Sequence, residues 1–313
     1  MIPEYPALPA ARPRWPWLVL LAVFAALQWG LCFWAARQAQ LYPTTGLRFS
    51  EPLQQAELEN ALDFMDSEEN TRGITASFWG EQQQDVTAEG GRQSSSVICI
   101  GYCGDARDCL PVTYSLGDAP GVLGKQCALS EALAQELFGS REVLGLTVRL
   151  AGETYSICGV FEAQDKVLLY PSRQALTCAE LRGVSWDIPK TDAEQWCAAA
   201  GLPTPYIIRY GPQRVWLARL LCLVPLLLAG IALLAAFLKL TFSWSSWVRS
   251  LVWFSLALAA ALLLPVLLRA LPGWLIPSRW SDLSFWPELF QQIREGIRAQ
   301  ESTAPYWRDL EIF

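Results

Sequence analysis

Hydrophobic and polar positions divide the chain into long apolar blocks and an alternating middle. Residues 15–36 (WPWLVLLAVFAALQWGLCFWAA) run 22 positions without a charge, and a hydrocarbon core of roughly 30 Å takes about 20 helical residues. Residues 220–238 and 251–268 are uncharged as well, each with one proline, Pro225 and Pro265, which neighbouring helices accommodate. The pattern predicts three transmembrane helices, over 15–36, 216–238 and 251–271. The first block does not read as a cleaved leader, because Phe33 and Trp34 stand where a cleavage site wants small residues. Between the first and second blocks the period changes. Glu51 to Glu69 sets Leu53, Leu58, Leu62 and Met65 on one helical face. Residues 74–79, 96–100 and 111–114 read as strands separated by Gly, Asp and Gln clusters that look like turns. Leu129 to Phe138 predicts a helix with Ser130 as N-cap and Gly139 just past its end. Residues 143–150, 154–161 and 166–170 are β-rich, the first two joined by a hairpin turn at Ala151-Gly152-Glu153. The predicted fold class is an α+β domain over 37–214 carried on an α-helical membrane anchor.

Charge orients this layout. Arg12 and Arg14 outnumber Glu4 in the tail 1–14, and the loop 239–250 holds Lys239 and Arg249 without an acid. Cations concentrate on the cytoplasmic side of short segments, so both are expected inside. Residues 37–214 count 14 basic against 23 acidic side chains, and they and the tail 272–313 are expected to be extracytoplasmic. In that tail Trp286, Leu289, Phe290, Ile293 and Ile297 fall at helical spacing after Trp274 and Trp280. This predicts an amphipathic helix at the outer interface or against the domain.

Composition narrows the chemistry. With 52% hydrophobic and 17% charged residues and a mean hydropathy of +0.23, the chain is part soluble and part membrane. A net charge of −6 offers no basic surface for nucleic acid. No histidine is present, which removes Ser-His-Asp, Cys-His and histidine-liganded metal chemistry. No cofactor is expected. Gly117 to Lys125 (GDAPGVLGK) misses the phosphate-loop register at Ala119 and Gln126. The acids Asp63, Asp66, Glu68 and Glu69 read as a solvated helix face. Most of the 15 tryptophans stand near span ends, as an interfacial belt does, whereas Trp79, Trp186 and Trp196 are expected in the domain core. The spans hold no Asp, Glu or Lys, so no polar relay for an ion-coupled carrier is visible.

Cysteines agree with an outer placement. Cys32 and Cys222 fall in spans, and Cys99, Cys103, Cys109, Cys127, Cys158, Cys178 and Cys197 fall in the domain. An oxidising compartment permits disulfides among these seven, with an odd thiol left over and the connectivity open. A metal knuckle at Cys99, Cys103 and Cys109 is the lesser reading, since no second regularly spaced pair supports it. A thiol enzyme built on Cys99 or Cys103 is weaker still, because only Arg107 stands near enough in sequence to lower a thiol pKa.

The stretch from Cys127 to Ala163 resembles the extracytoplasmic core domain of MacB/FtsX-type ABC transporter permeases. Leu129, Ser130, Ala134, Leu137, Phe138, Gly139, Gly145, Val148, Gly152, Tyr155, Gly159 and Val160 carry the likeness. In physical terms Ala134, Leu137 and Phe138 dock a helix on a sheet, Gly139 and Gly145 turn the chain, and Gly159 marks a bulge or close approach. This is a packing signature without catalytic residues, and no enzyme activity is expected. The resemblance implies a membrane subunit that couples an ABC ATPase at the cytoplasmic face to an extracytoplasmic protein or peptide cargo, with a dimer as a candidate assembly. Permeases of that type have three spans after the domain, whereas this chain shows two and a polar tail. The departure motivates the alternative of a stand-alone adaptor or sensor without transport activity.

Overall fold

The computed structural model describes residues 15–121, 124–185, 189–241, 245–270, 284, 286–287, 291 and 306–311. After α1 (Trp15–Leu41) come β1 (Thr45–Arg48), α2 (Gln55–Asp66), β2 (Thr75–Ala88), β3 (Gln93–Cys103) and α3 (Ala106–Cys109). Next are β4 (Tyr114–Gly117), β5 (Gln126–Ser130), α4 (Glu131–Phe138), the hairpin of β6 (Thr147–Leu150) and β7 (Glu153–Phe161), and β8 (Val167–Pro171). The domain closes with β9 (Cys178–Arg182), α5 (Pro189–Ala199) and β10 (Ile207–Tyr210), and then α6 (Gly211–Thr241) and α7 (Ser246–Ala270) follow. A short helix, α8 (Trp307–Glu311), returns to the domain.

The strands form one mixed sheet in the order β10-β1-β9-β2-β3-β8-β5-β7-β4, with β6 bridging β2 and β7. Long β2 belongs to two structures at once. Its first residues pair with β9 in an open sheet, and its last, Val86 to Ala88, pair with β6. The path β2-β3-β8-β5-β7-β6 therefore closes on itself as a six-stranded ring, which leaves these edges paired. Inside lie Val97, Cys99, Leu129, Val160 and Leu168 with Leu133, Ala134 and Leu137 of α4. The open half has its own core, in which Leu58 and Ala61 of α2 and Trp196 of α5 meet Leu47, Phe78 and Leu181.

Local chemistry explains the expected elements that are present. Ser130 caps α4 by accepting the Leu133 amide at 3.2 Å, and also accepts the Val167 amide at 3.0 Å. Gly139 ends the helix in the left-handed region at φ 72°. At Gly159 a Cβ would stand 2.2 Å from the Asp118 carbonyl oxygen, so the strand needs glycine there. Trp79 and Trp196 are buried, while Trp186 lies outside the described residues.

Several expectations are corrected. The glutamines 82–84, expected in a turn, pair with β3 because backbone hydrogen bonds hold the strand where side chains bury little. The strand expected at 111–114 begins only at Tyr114, and Leu129, expected in the helix, lies in β5, whose last residue Ser130 caps α4 as expected. All nine cysteines are free, so the anticipated disulfides among Cys99, Cys103, Cys109, Cys127, Cys158, Cys178 and Cys197 are not formed. They are dispersed over separate cores, with Cys99 and Cys127 in the ring, Cys109 and Cys178 in a middle layer and Cys197 in the open half.

Among the described residues two helices, Val19–Leu41 and Arg214–Thr241, are long and apolar enough to cross a membrane, and Ser246–Ala259 is a shorter apolar stretch. Helices α1 and α6 pack through Leu31, Ala35, Ala218 and Cys222, and Gln28 Nε2 donates to the Cys222 carbonyl at 2.9 Å. Most of their leucines are exposed, as lipid contact requires. Helices α6 and α7 run into the expected loop 239–250 and leave only residues 242–245 between them. Of the expected amphipathic helix, Trp286 is exposed, and Leu289, Phe290, Ile293 and Ile297 lie outside the described residues, as do Trp274 and Trp280.

Candidate functional site

Strands β1 and β9 run antiparallel with Gly46 opposite Glu180 and Arg48 opposite Cys178. Side chains alternate across a strand, so Ala179 and Leu181 enter the open half's core while Cys178 and Glu180 face the other side. Two charged side chains thus converge above a residue with no side chain. A Cβ on Gly46 would lie 3.0 Å from both Arg48 Nη1 and Glu180 Oε1. Glycine is what lets the pair close at 3.0 Å while both side chains are almost fully buried.

Around this pair stands a set of polar groups that answer one another. Glu180 accepts from Thr44 Oγ1 at 2.7 Å and from the Trp79 indole N–H at 3.2 Å. The guanidiniums of Arg48 and Arg308 lie 4.9 and 5.0 Å from the centre of the Trp79 ring, within cation–π range. Arg308 also donates to Glu180, and its Nη2 donates to the Asp108 carbonyl at 3.0 Å. Asp309 receives a two-point fork from Arg48, with Nη2 to Oδ1 at 2.8 Å and Nε to Oδ2 at 3.1 Å, and is reached by Arg209 at 2.9 Å.

Half of this network is supplied by the segment 306–311. Tyr306 meets the Trp79 ring edge-on at 5.3 Å and donates its hydroxyl to Thr177 Oγ1 at 3.2 Å. The Trp307 amide donates to Glu81 Oε2 and its indole to Asp165 Oδ2, both at 2.8 Å. Trp307, Arg308 and Asp309 are all buried.

Electrostatics follow from this crowding. Burial by itself would raise the Glu180 carboxyl, but the Arg308 and Arg48 cations and the hydrogen bonds from Arg308 and Thr44 outweigh it and hold the pKa down at about 2. Glu81 goes the other way: burial raises it above the ordinary carboxylate value, although the Trp307 amide opposes the shift. Breaking such a buried pair by removing one partner costs about 3–5 kcal/mol, since the survivor is left charged and alone. The arrangement is an ion-pair lock. Apart from Arg308 Nε, its donors and acceptors are spent on one another, and none is placed as a nucleophile beside a base.

The residues singled out from sequence sit elsewhere. Leu129, Ser130, Ala134, Leu137, Phe138, Gly139, Gly145, Val148, Gly152, Tyr155, Gly159 and Val160 build the ring and the helix against it. Gly145 and Gly152 take φ 82° and 86°, in the left-handed region that their turns demand. Burial pushes the Cys99 thiol up to about 12 and raises Cys103 despite Arg173 beside it, so neither is an activated thiolate. Among the described residues no group of three or more His, Cys, Asp or Glu is placed to hold a metal. Arg48, Glu180, Arg308 and Asp309 went unnoticed in the sequence. The one local signal is an acid inside the otherwise small and apolar run Cys178-Ala179-Glu180-Leu181.

No protein-family model and no curated protein matches the chain. Among solved structures, the periplasmic region of MacB from Actinobacillus actinomycetemcomitans is similar at 12% identity and a TM-score of 0.42, covering 55% of this chain and 90% of that one. The extracellular domain of the noncanonic ABC-type transporter YknZ from Gram-positive bacteria gives 12%, 0.41, 52% and 98%. A domain of a permease protein from Porphyromonas gingivalis gives 17%, 0.35, 50% and 84%. At these identities and TM-scores the likenesses assign no function to this chain.

Proposed function

We propose that this chain is a membrane-anchored, ABC-permease-like subunit of the MacB/FtsX type. In this reading it couples an ATPase partner at the cytoplasmic face to the extracytoplasmic domain, for export or for mechanical transmission across the bilayer. The observation that carries the reading is the junction between domain and membrane helices. The domain's entry and exit strands, β1 and β10, are paired neighbours, and they continue into α1 and α6, which pack on each other. At that junction a Cβ on Gly211 would stand 2.1 Å from the Thr44 carbonyl oxygen and 2.9 Å from that of Tyr42. Arg214 adds a cation–π contact at 4.7 Å over the Tyr42 ring. A shift of the helix pair is thereby passed into the sheet instead of being absorbed by a slack linker.

The docking of α8 supports the topology. The chain leaves the domain at β10 and is back against it at Tyr306, which favours α6 and α7 crossing the bilayer as a pair. α7 has 25 residues, about 37 Å of helix, which suffices to span. With the cationic tail 1–14 and Lys239 and Arg249 inside, three spans put the domain and α8 outside together. The helix-glycine-hairpin run from Leu129 to Val160 supports the permease class.

The test is to purify the tagged chain in mild detergent, identify what accompanies it and measure ATP hydrolysis with Gly211 intact and as Gly211→Val. Co-purification of an ATP-binding protein whose hydrolysis changes with the substitution is expected. Recovery without any ATP-binding partner would favour the stand-alone adaptor.

A further inference from the structure

The segment Tyr306–Glu311 occupies its place on the domain as a ligand occupies a site. We propose that the groove between β1, β9 and the Trp79 face of β2 is a peptide-recognition site. Its partner is an extracytoplasmic protein segment bearing an aromatic pair followed by Arg and an acid, and α8 is the resident occupant that such a segment displaces.

The selectivity is written in the groove's charges. Glu180 faces the arginine position, Arg48 and Arg209 face the acid, and Glu81 and Asp165 take the amide and indole N–H groups of the second aromatic. Trp79 is a platform for the first aromatic on its edge and for the arginine in cation–π contact. Without an occupant, buried Glu180 loses the Arg308 cation and Arg48 loses the Asp309 carboxylate. Arg48 and Glu180 still answer each other, and a segment that presents Arg and then an acid restores the second partner of each, so the groove selects that charge order.

Two features make the resident segment replaceable. Arg308 Nε is buried with no hydrogen-bond partner among the described residues, so the resident fit is incomplete. The segment is covalently joined to α7, and covalent linkage of this kind sets an effective concentration on the order of millimolar. A free peptide must beat that figure, whereas a partner held at the same membrane face meets it. The inference stands on the groove alone and does not require an ATPase partner.

The experiment uses a fluorescent peptide of residues 303–313, the intact chain in detergent, and the same chain with Trp307→Ala and Asp309→Ala. The vacated variant is expected to bind the peptide saturably and at least 10-fold more tightly than the intact chain, and to ignore a peptide with Arg and Asp exchanged. In the intact chain, millimolar peptide is expected to speed hydrogen–deuterium exchange at 306–311, a readout that does not depend on the variant folding. Unchanged exchange under saturating peptide, or equal binding of the exchanged peptide, overturns the proposal. A dimer of intact chains that the peptide dissociates would instead identify a second copy as the occupant and overturn the assignment to a separate partner.

Discussion

The closed ring and the seam between β1, β9 and α8 lie in one domain and are held by opposite means. The ring's core is apolar, and its buried polar side chains are hydroxyls, Ser94 and Ser130. The seam buries Arg48, Glu180, Arg308 and Asp309. Apolar burial is non-directional, stabilises whatever is inside and survives small shifts. A buried charge network is favourable only when every member is in place. The ring thus serves as a stable frame, and the seam as a contact that is either fully made or released.

The widest separation between the two is expected from Arg48→Ala set against Leu129→Ala. Removing Arg48 takes the two-point fork from Asp309 and one of the two cations from Glu180, leaving them to Arg209 and Arg308, and is expected to cost about 4 kcal/mol. The ring substitution leaves a cavity worth about 3 kcal/mol. Denaturant unfolding of the detergent-solubilised chain measures both, and hydrogen exchange at 306–311 tells them apart. Only Arg48→Ala should release the segment, and a segment still protected in that variant would dissolve the distinction.

Acid should act on the seam before the ring. Glu180 titrates at about 2 in the folded chain against an ordinary 4.5, so its contribution is complete above 4.5 and drains away as the pH falls through 2. Protection of 306–311 is expected to hold from pH 7 to 5 and to decline below 4.5, and Glu180→Gln should flatten that decline. The smallest effect belongs to the ring. Ser130→Ala loses the α4 cap and the Val167 contact and should lower stability by about 1 kcal/mol, with the segment still docked.

Legibility in the sequence follows the same divide. Helix α4, its Ser130 cap, the Gly139 stop and the β6–β7 hairpin were readable because each rests on residues within a turn or two of one another. The three apolar blocks were readable because length and lack of charge are local properties. Strands β1, β9 and β10 were missed, since runs of four or five residues acquire their meaning only from neighbours far along the chain. The disulfides were expected from compartment logic, which cannot know that the fold, even where it puts two cysteines in one core, leaves every thiol free.

By itself the sequence determined the apolar blocks, the acidic stretch between the first two of them, the absence of histidine and the helix-glycine-hairpin unit. Tertiary structure alone decided that β2 bends from an open sheet into a ring, that Gly46 clears room for Arg48 and Glu180, and that residues 306–311 close over them. The reason is range. Periodicity, capping and turn preference act over a few residues, whereas Arg48 and Asp309 are 261 positions apart and acquire a common role only once the chain has folded back on itself.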